Sequence, residues 1–336
     1  MLSPVLWCYG VFGAVIVTAI ITLCVRRGGD AVLWLGAVCY AAPLAAFGSQ
    51  HLTLHRAIAA LIPPWIPWHD FWAYFVGTCF IAAGLSLVTR VQGRLAASLV
   101  ALVFFLFVLL MDIPGWLHQP GNRFALALAL RELAFSGGAL AGAAALTGHR
   151  LARGPAWLRH TTRLPLGRAG GPASPSPAFT GDRRLSEIQA TAARYFVAIA
   201  ILYYSLEQFL HANYVPGIPL NRVTPPGLFG HAFWTYFAAV IYAVAGVLLL
   251  RNKHTRSAAT ALGATVLVVV AAVYVPMAVA LRNLIGFNFL ADTLMFAGAL
   301  FLLAAAMPVT PSASAGDHER DKSSEPRARA AGPSLP

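Results

Sequence analysis

Nine histidine and carboxylate side chains lie near the ends of long apolar segments, where ionisable groups are costly and suggest a function. They form two groups, one in each half of the chain: His51, His55, His69, Asp112 and Glu132; and Glu207, His211, His231 and Asp292. Imidazole and carboxylate groups can relay protons near neutral pH, ligate zinc, copper or iron, or bind a quinone head group. We therefore treat each group as a candidate polar pocket.

Glu132 is the most deeply placed of these residues. It lies eight residues into a segment that begins near residue 124, which is about 12 Å along a helix at 1.5 Å per residue. A buried carboxylate needs a partner, and the sequence offers Arg131 and Asp112, although neighbouring residues do not share a helix face. Asp292 is the counterpart of Glu132 in the second half, because RELAFSGGAL aligns with ADTLMFAGAL.

The histidines also have a simpler interpretation as interface anchors. Tryptophan is common where helices leave a membrane, and His69 and His231 have Trp65, Trp68, Trp72 and Trp234 around them. The sequence contains no HExxH motif, and its cysteines form no CxxC pair. We therefore predict no metal site, and the sequence leaves the cofactor open, with a quinone as one candidate.

Membrane-spanning helices are the elements that must position these residues. Of the 336 residues, 58% are hydrophobic and 11% are charged, which excludes an ordinary soluble globular protein. A helix that crosses the hydrocarbon core needs about 20 mostly apolar residues. About nine segments meet this criterion, roughly 4–25, 31–54, 69–89, 95–117, 124–147, 188–212, 231–250, 257–281 and 288–307. We predict an all-α, polytopic integral membrane protein.

The basic residues indicate the orientation of these helices. If the N-terminus is outside, 18 of the 24 Lys and Arg residues fall in cytoplasmic segments and 4 in external loops. This bias follows the positive-inside rule, so we predict that the N-terminus is outside and the C-terminus cytoplasmic. The net charge of +12 is then a topology signal, and we expect membrane lipid rather than nucleic acid as a partner.

An internal repeat divides the chain into two similar units. From Pro63/Pro225 to Pro114/Pro276, without a gap, 15 of 52 positions are identical at an offset of 162 residues, including the string HxFWxYF. We predict an N-terminal transmembrane helix at 1–30, and two four-helix bundles at 31–147 and 188–307 that form a parallel repeat. A flexible basic cytoplasmic linker is predicted at 148–187, and a disordered cytoplasmic tail at 308–336.

The repeated unit resembles the DoxX family. The resemblance rests on histidine near the end of the first helix (FGSQHL; LEQFLH), a Pro-rich segment (IPPWIPWH; TPPGLFGH), an RxAA motif and a carboxylate before a Gly/Ala run (RELAFSGGAL). The second unit departs where Tyr274 replaces Asp112, so a site built on Asp112 should be weaker there. The family is similar to the small membrane subunit of thiosulfate:quinone oxidoreductases, which implies a role in membrane redox complexes.

These observations lead to a hypothesis with two alternatives. The leading hypothesis is a multi-pass protein of the bacterial inner membrane that serves as the membrane component of a quinone-linked redox system, with redox partner proteins. Glu132, His51 and His69 are the first candidates for its pocket, and the sequence does not decide whether the protein is an enzyme. A non-catalytic scaffold or a lipid- or cargo-binding protein is the alternative, and a transporter is third.

Overall fold

The computed structural model describes residues 3–25, 30–152, 177–218 and 230–308. Across these ranges the chain is helical, and its one extended pairing is an isolated bridge between Val215 and Ile218. The α-helices are α1 (Pro4–Val25), α2 (Ala31–Thr53), α3 (His55–Ala59), α4 (His69–Thr89), α5 (Gly93–Phe107), α6 (Ile113–His118), α7 (Arg123–Ala152), α8 (Pro177–Leu210), α9 (His231–Leu250), α10 (Thr255–Val269), α11 (Val275–Leu281) and α12 (Leu284–Ala306). One π-helical turn (Val108–Asp112) joins α5 to α6, and another (Val270–Tyr274) joins α10 to α11.

Nine helical segments in the described ranges are long and apolar enough to cross a membrane. They are α1, α2, α4, α7, α8, α9, α12 and the two continuous segments α5–α6 and α10–α11. Each has at least 20 residues, which matches the length that a bilayer requires. For the described residues, the prediction of an all-helical fold with nine segments long and apolar enough to span a membrane is confirmed. This pattern indicates a multi-pass membrane protein whose apolar helices contact lipid.

Two helices extend further than their predicted boundaries. α7 continues to Ala152 and α8 begins at Pro177, so both enter the segment 148–187 that was predicted to be a flexible linker. Hydropathy locates the end of an apolar segment, whereas a helix continues through polar residues that pair with one another. Here Arg183 and Glu187 form such a pair, four residues apart, at 3.1 Å. Residues 153–176 of the predicted linker and residues 309–336 of the predicted tail lie outside the described part of the chain.

The two predicted units pack against each other, a question that the sequence left open. We call α2–α7 the first helix set and α8–α12 the second helix set. α2 packs against α12 of the second set, and α8 packs against α7 of the first set. α7 and α12 also pack together, and α4, α5, α9 and α10 surround this centre. Because the first and last helices of each set barely touch, neither set forms a closed bundle alone.

Small residues allow the central helices to approach closely. Gly138 on α7 lies against Ala299 on α12, and Gly298 on α12 lies against the backbone of Tyr40 on α2. The Tyr40 hydroxyl donates a hydrogen bond of 2.7 Å to the carbonyl oxygen of Phe135 on α7. In lipid, where no hydrophobic force drives helices together, close packing of small residues and such hydrogen bonds stabilise the assembly.

Several backbone features recur 162 residues apart, at the same offset as the sequence matches. The matched positions are the helix starts His69/His231 and Gly93/Thr255, the π-turn starts Val108/Val270, and the left-handed residues Arg90/Asn252 and Gln92/His254. Each π turn is followed by a proline, Pro114 or Pro276. Proline cannot donate the hydrogen bond to the residue four positions earlier, and a π turn accommodates such a local break in the helical ladder.

Two ion pairs join the helix sets at the ends where α2 and α8 begin. Arg94 on α5 lies 2.9 Å from Asp182 on α8, and Arg256 on α10 lies 3.2 Å from Asp30, which caps α2. Burial opposes the charge of Asp30, but hydrogen bonds from the Val32 amide and from Arg256 outweigh it, so the pKa of Asp30 lies below its usual value. Arg94 and Arg256 are matched positions in the repeat, so the two pairs take their cations from equivalent positions, whereas Asp30 and Asp182 do not match.

We expect Gly298→Ala to destabilise the protein, because the added Cβ would lie 2.5 Å from the Tyr40 amide nitrogen. Overpacking of a helix interface costs about 1–3 kcal/mol, which should lower the thermal unfolding midpoint in detergent. Gly13→Ala is the matched control, since nothing lies within 4 Å of the added Cβ and alanine favours the helix. Equal midpoints for the two variants would contradict the close contact of α2 and α12.

Candidate functional site

Four ionisable side chains meet where α7, α12 and the first π turn come together. We call Asp112, Arg131, Glu132 and Asp292 the Arg131 cluster. Arg131 and Glu132 are neighbours on α7, and successive residues of a helix point about 100° apart. Arg131 therefore reaches α12, whereas Glu132 reaches the end of the π turn, and each meets a carboxylate there.

The ion pair between Arg131 and Asp292 links the two helix sets. The Nη1 atom of Arg131 donates to Oδ2 of Asp292 at 2.6 Å, and the guanidinium also lies 5.8 Å from the centre of the Phe135 ring. Among the described residues, no acceptor bonds the buried Nε atom of Arg131. The exposed fractions of the two side chains, 31% and 22%, leave the pair accessible from outside the helices.

The carboxyl groups of Asp112 and Glu132 are neighbours whose side chains interact with each other. Within the described ranges, Oδ2 of Asp112 and Oε2 of Glu132 are buried and have no donor. Asp112 is the last residue of the π turn Val108–Asp112. The repeat explains why the second helix set lacks a similar pair, because the matched π turn ends at Tyr274 instead.

Tyrosine hydroxyls close to the cluster are engaged elsewhere. Tyr204 on α8 interacts electrostatically with Arg131, but its hydroxyl donates a hydrogen bond of 2.8 Å to the carbonyl oxygen of Ala127. Tyr274 lies near Asp292 from the second π turn. The positive charge of the cluster is that of the Arg131 guanidinium, and three carboxyl groups, those of Asp112, Glu132 and Asp292, lie near it.

A second polar layer crosses between the sets nearer the ends of the helices. Arg123 at the start of α7 forms an ion pair with the buried Glu207 on α8, and it also donates to the carbonyl oxygen of Tyr214 at 3.1 Å. Gln50 on α2 donates to Asn288 on α12 at 2.7 Å. In both contacts the first helix of one set bonds to the last helix of the other.

The predicted site residues thus fall into separate groups. Asp112, Glu132 and Asp292 come together around Arg131, although they were assigned to two pockets. His51 lies at the contact of α2 and α4, where Nδ1 bonds the Phe47 carbonyl oxygen at 2.8 Å and the ring packs edge-on against Phe80.

The remaining histidines lie at helix ends. His55 stacks on Tyr74 with ring centres 4.8 Å apart. His69 begins α4 and lines an open surface depression together with Trp68 and Asp70. His231 begins α9, and His211 follows the end of α8. These positions are the ones that interface residues occupy.

The sequence indicates Asp112 as a partner of Glu132 but does not directly indicate the pairing of Arg131 with Asp292. The sequence does contain an indirect indication of this pairing, because Arg131 and Arg194 are the cations that lie well inside predicted spans. Arg194 donates to the carbonyl oxygens of Leu249 and Leu250 at the end of α9, at 2.6 and 2.9 Å. Arg131 was therefore the cation left to pair with a carboxylate of the other unit.

The cluster does not have the composition of a metal site. No three His, Cys, Asp or Glu side chains of the described ranges converge as metal ligands.

The comparisons with known proteins add no assignment: no protein-family model matches the chain, and neither a curated protein nor a solved structure matches it significantly. The geometry of the site is therefore the basis for its chemistry.

Neutralising either partner of the Arg131–Asp292 pair should destabilise the protein by about 1–3 kcal/mol, because the other charge is left without its hydrogen bond. We expect the double variant Arg131→Gln/Asp292→Asn to lose less than the sum of the single variants, as measured by SDS-induced unfolding in mixed micelles. The exposed pair Arg183–Glu187 is the control, where Arg183→Gln/Glu187→Gln should show coupling within about 0.5 kcal/mol. Strictly additive losses at Arg131 and Asp292 would contradict the pairing.

Proposed function

We propose that this protein is the membrane component of a quinone-linked redox system, built from two DoxX-like four-helix units in a bacterial inner membrane. The observation that carries the proposal is the Arg131 cluster, an ionisable site in the middle of apolar helices. Ionisable groups at such positions are retained mainly where they bind or move charge. Redox partner proteins would contact the protein outside the bilayer.

The residues of the cluster fit a quinone head group. A quinone carbonyl oxygen accepts a hydrogen bond and a quinol hydroxyl donates one. Nε of Arg131 is an unpartnered donor and Oε2 of Glu132 an unpartnered acceptor in the described part of the chain. When bound, a quinone carries electrons together with protons. Arg131 would then orient its carbonyl oxygen, and Glu132 and Asp112 would hold the proton that accompanies an electron.

A gene duplication accounts for the arrangement of the helices. The offset of 162 residues relates sequence matches, helix starts, π turns and left-handed residues, and unrelated helices would not share all four. The reciprocal packing of α2 against α12 and α8 against α7 is what a pseudo-twofold relation between two equivalent units produces. An axis normal to the membrane would suit the parallel repeat.

A scaffold or a lipid-binding role is the second candidate, and exposed aromatic faces favour it. Phe71, Trp72 and Phe75 pack together on α4, and the matched residues Phe233, Trp234 and Phe237 do so on α9. Such a role requires the helix surface and makes no use of the carboxyl groups. Tolerance of substitution at Glu132 separates it from the redox proposal.

Quinone binding by the purified protein in lipid nanodiscs tests the proposal. We expect a quinone to quench tryptophan fluorescence saturably, and Glu132→Gln to weaken binding about tenfold or more, since a hydrogen bond to a charged group contributes about 1.5–3 kcal/mol. Glu187→Gln is the control, because that residue is exposed and forms an i,i+4 pair on α8. Absence of saturable quenching, or equal affinities for the two variants, would overturn the redox proposal.

The proposed orientation is tested by labelling single cysteines in a variant without Cys8, Cys24, Cys39 and Cys79. Gln119→Cys lies between α6 and α7, and Lys253→Cys lies between α9 and α10; both positions are exposed. With the N-terminus outside, a membrane-impermeant maleimide should label Gln119→Cys in intact spheroplasts and Lys253→Cys only after permeabilisation. The reverse pattern would show the opposite orientation.

A further inference from the structure

The contact between Asp112 and Glu132 needs a hydrogen that no described neighbour donates to it. Each carboxyl group has a buried oxygen without a donor in the part of the chain that the structure describes, and the two groups are interacting neighbours. Two neighbouring ionised carboxylates repel each other, and each can only accept hydrogen bonds. A proton on one of them turns the repulsion into a hydrogen bond.

We infer that Asp112 and Glu132 form a proton-binding site that holds one proton between them, and that the state of this site controls the partner of Arg131. The inference deepens the proposed function, on whose site it rests, by naming the proton carrier. It is also a property of the protein without quinone, so the two can be tested separately.

Several donors around the cluster and along the central helices are already bonded to other acceptors. From α12, Asp292 occupies Nη1 of Arg131. From α8, the Tyr204 hydroxyl donates to the Ala127 carbonyl oxygen. From α2, the Tyr40 hydroxyl donates to the carbonyl oxygen of Phe135. These hydroxyls are therefore unavailable to the carboxyl pair.

Three further groups complete the electrostatic surroundings. Tyr242 on α9 and Tyr274 on the second π turn lie on the side of Asp292 and Tyr204. Arg123 is paired with Glu207 at the start of α7. Arg131 is therefore the nearby cation that can respond to the carboxyl pair, since its Nε–H has no acceptor among the described residues.

Loss of the proton changes the balance between the two sides of Arg131. The reaction converts one carboxylic acid and one carboxylate into two carboxylates, and the proton passes to water or to the reduced quinone. The pair then carries one more negative charge, which attracts the guanidinium away from Asp292. Because Asp292 belongs to the second helix set and Asp112 to the first, proton release weakens the contact of α7 with α12.

Infrared difference spectroscopy of the ligand-free protein in nanodiscs tests this inference. The wild type should show the C=O stretch of a protonated carboxyl group that shifts in D2O and disappears as the pH is raised. Asp112→Asn and Glu132→Gln should each lose the band, because the amide N–H of the new side chain supplies the missing donor to the remaining carboxylate. Glu187→Gln should keep it.

Asp292→Asn tests the link to Arg131. This variant frees the guanidinium to stabilise the ionised pair, so the pH midpoint of the band should fall by about one unit.

A wild type without a D2O-sensitive band, or a band that persists in both Asp112→Asn and Glu132→Gln, would overturn the proton site. An unchanged midpoint in Asp292→Asn would overturn the control of Arg131. If the band behaves as expected but quinone does not bind, the proposed redox function fails while the proton site stands.

Discussion

The contact between Arg131 and Asp292 is the interaction on which the arrangement of this molecule depends. A guanidinium in the apolar part of a membrane protein must have a counter-charge, because transfer of an isolated ion into such surroundings is costly. The local carboxylate of Glu132 points to a different face of α7, so Arg131 finds its partner on α12 instead. That pairing brings together two helices that are far apart in the chain and requires their side chains near the contact to be small. Gly138 and Ala299, which pack against each other seven residues further along α7 and α12, meet this requirement.

The two helix sets contact each other reciprocally, so the site depends on both of them. The first helix of each set packs against the last helix of the other, and polar contacts support this packing at several levels: Arg256–Asp30 and Arg94–Asp182 near the start of α2 and α8, and Gln50–Asn288 and Arg123–Glu207 near their ends. A single helix set could bury neither its first nor its last helix. The Arg131 cluster therefore forms only when both sets are present and correctly paired.

Much of the fold follows from the sequence because a bilayer turns helix length into a readable signal. Nine apolar segments of about 20 residues predict nine spans, and the described part of the chain has nine helical segments long and apolar enough for this. The ends of α7 and α8 were not predictable in this way, since the residues that extend these helices are polar and stabilised by pairs such as Arg183–Glu187. The contact of Asp112 with Glu132 could be anticipated from the need of a buried acid for a partner. The pairing of Arg131 with Asp292 could not, because hydropathy says nothing about which helices are neighbours within the membrane plane.

The divergence of the two units explains why one site stands where the repeat suggests two. At the positions that match Asp112 and Arg131, the second unit has Tyr274 and Ala291, so it retains a carboxylate, Asp292, without a cation or a second acid. An unpaired carboxylate at that depth would be costly, unless the other unit supplies its counter-charge. Arg131 does so, and its charge then cannot fully compensate Asp112 and Glu132 as well. The excess of acidic groups over cations in the cluster is thus a consequence of the asymmetry, and it leaves one carboxyl pair of the first unit in need of a proton.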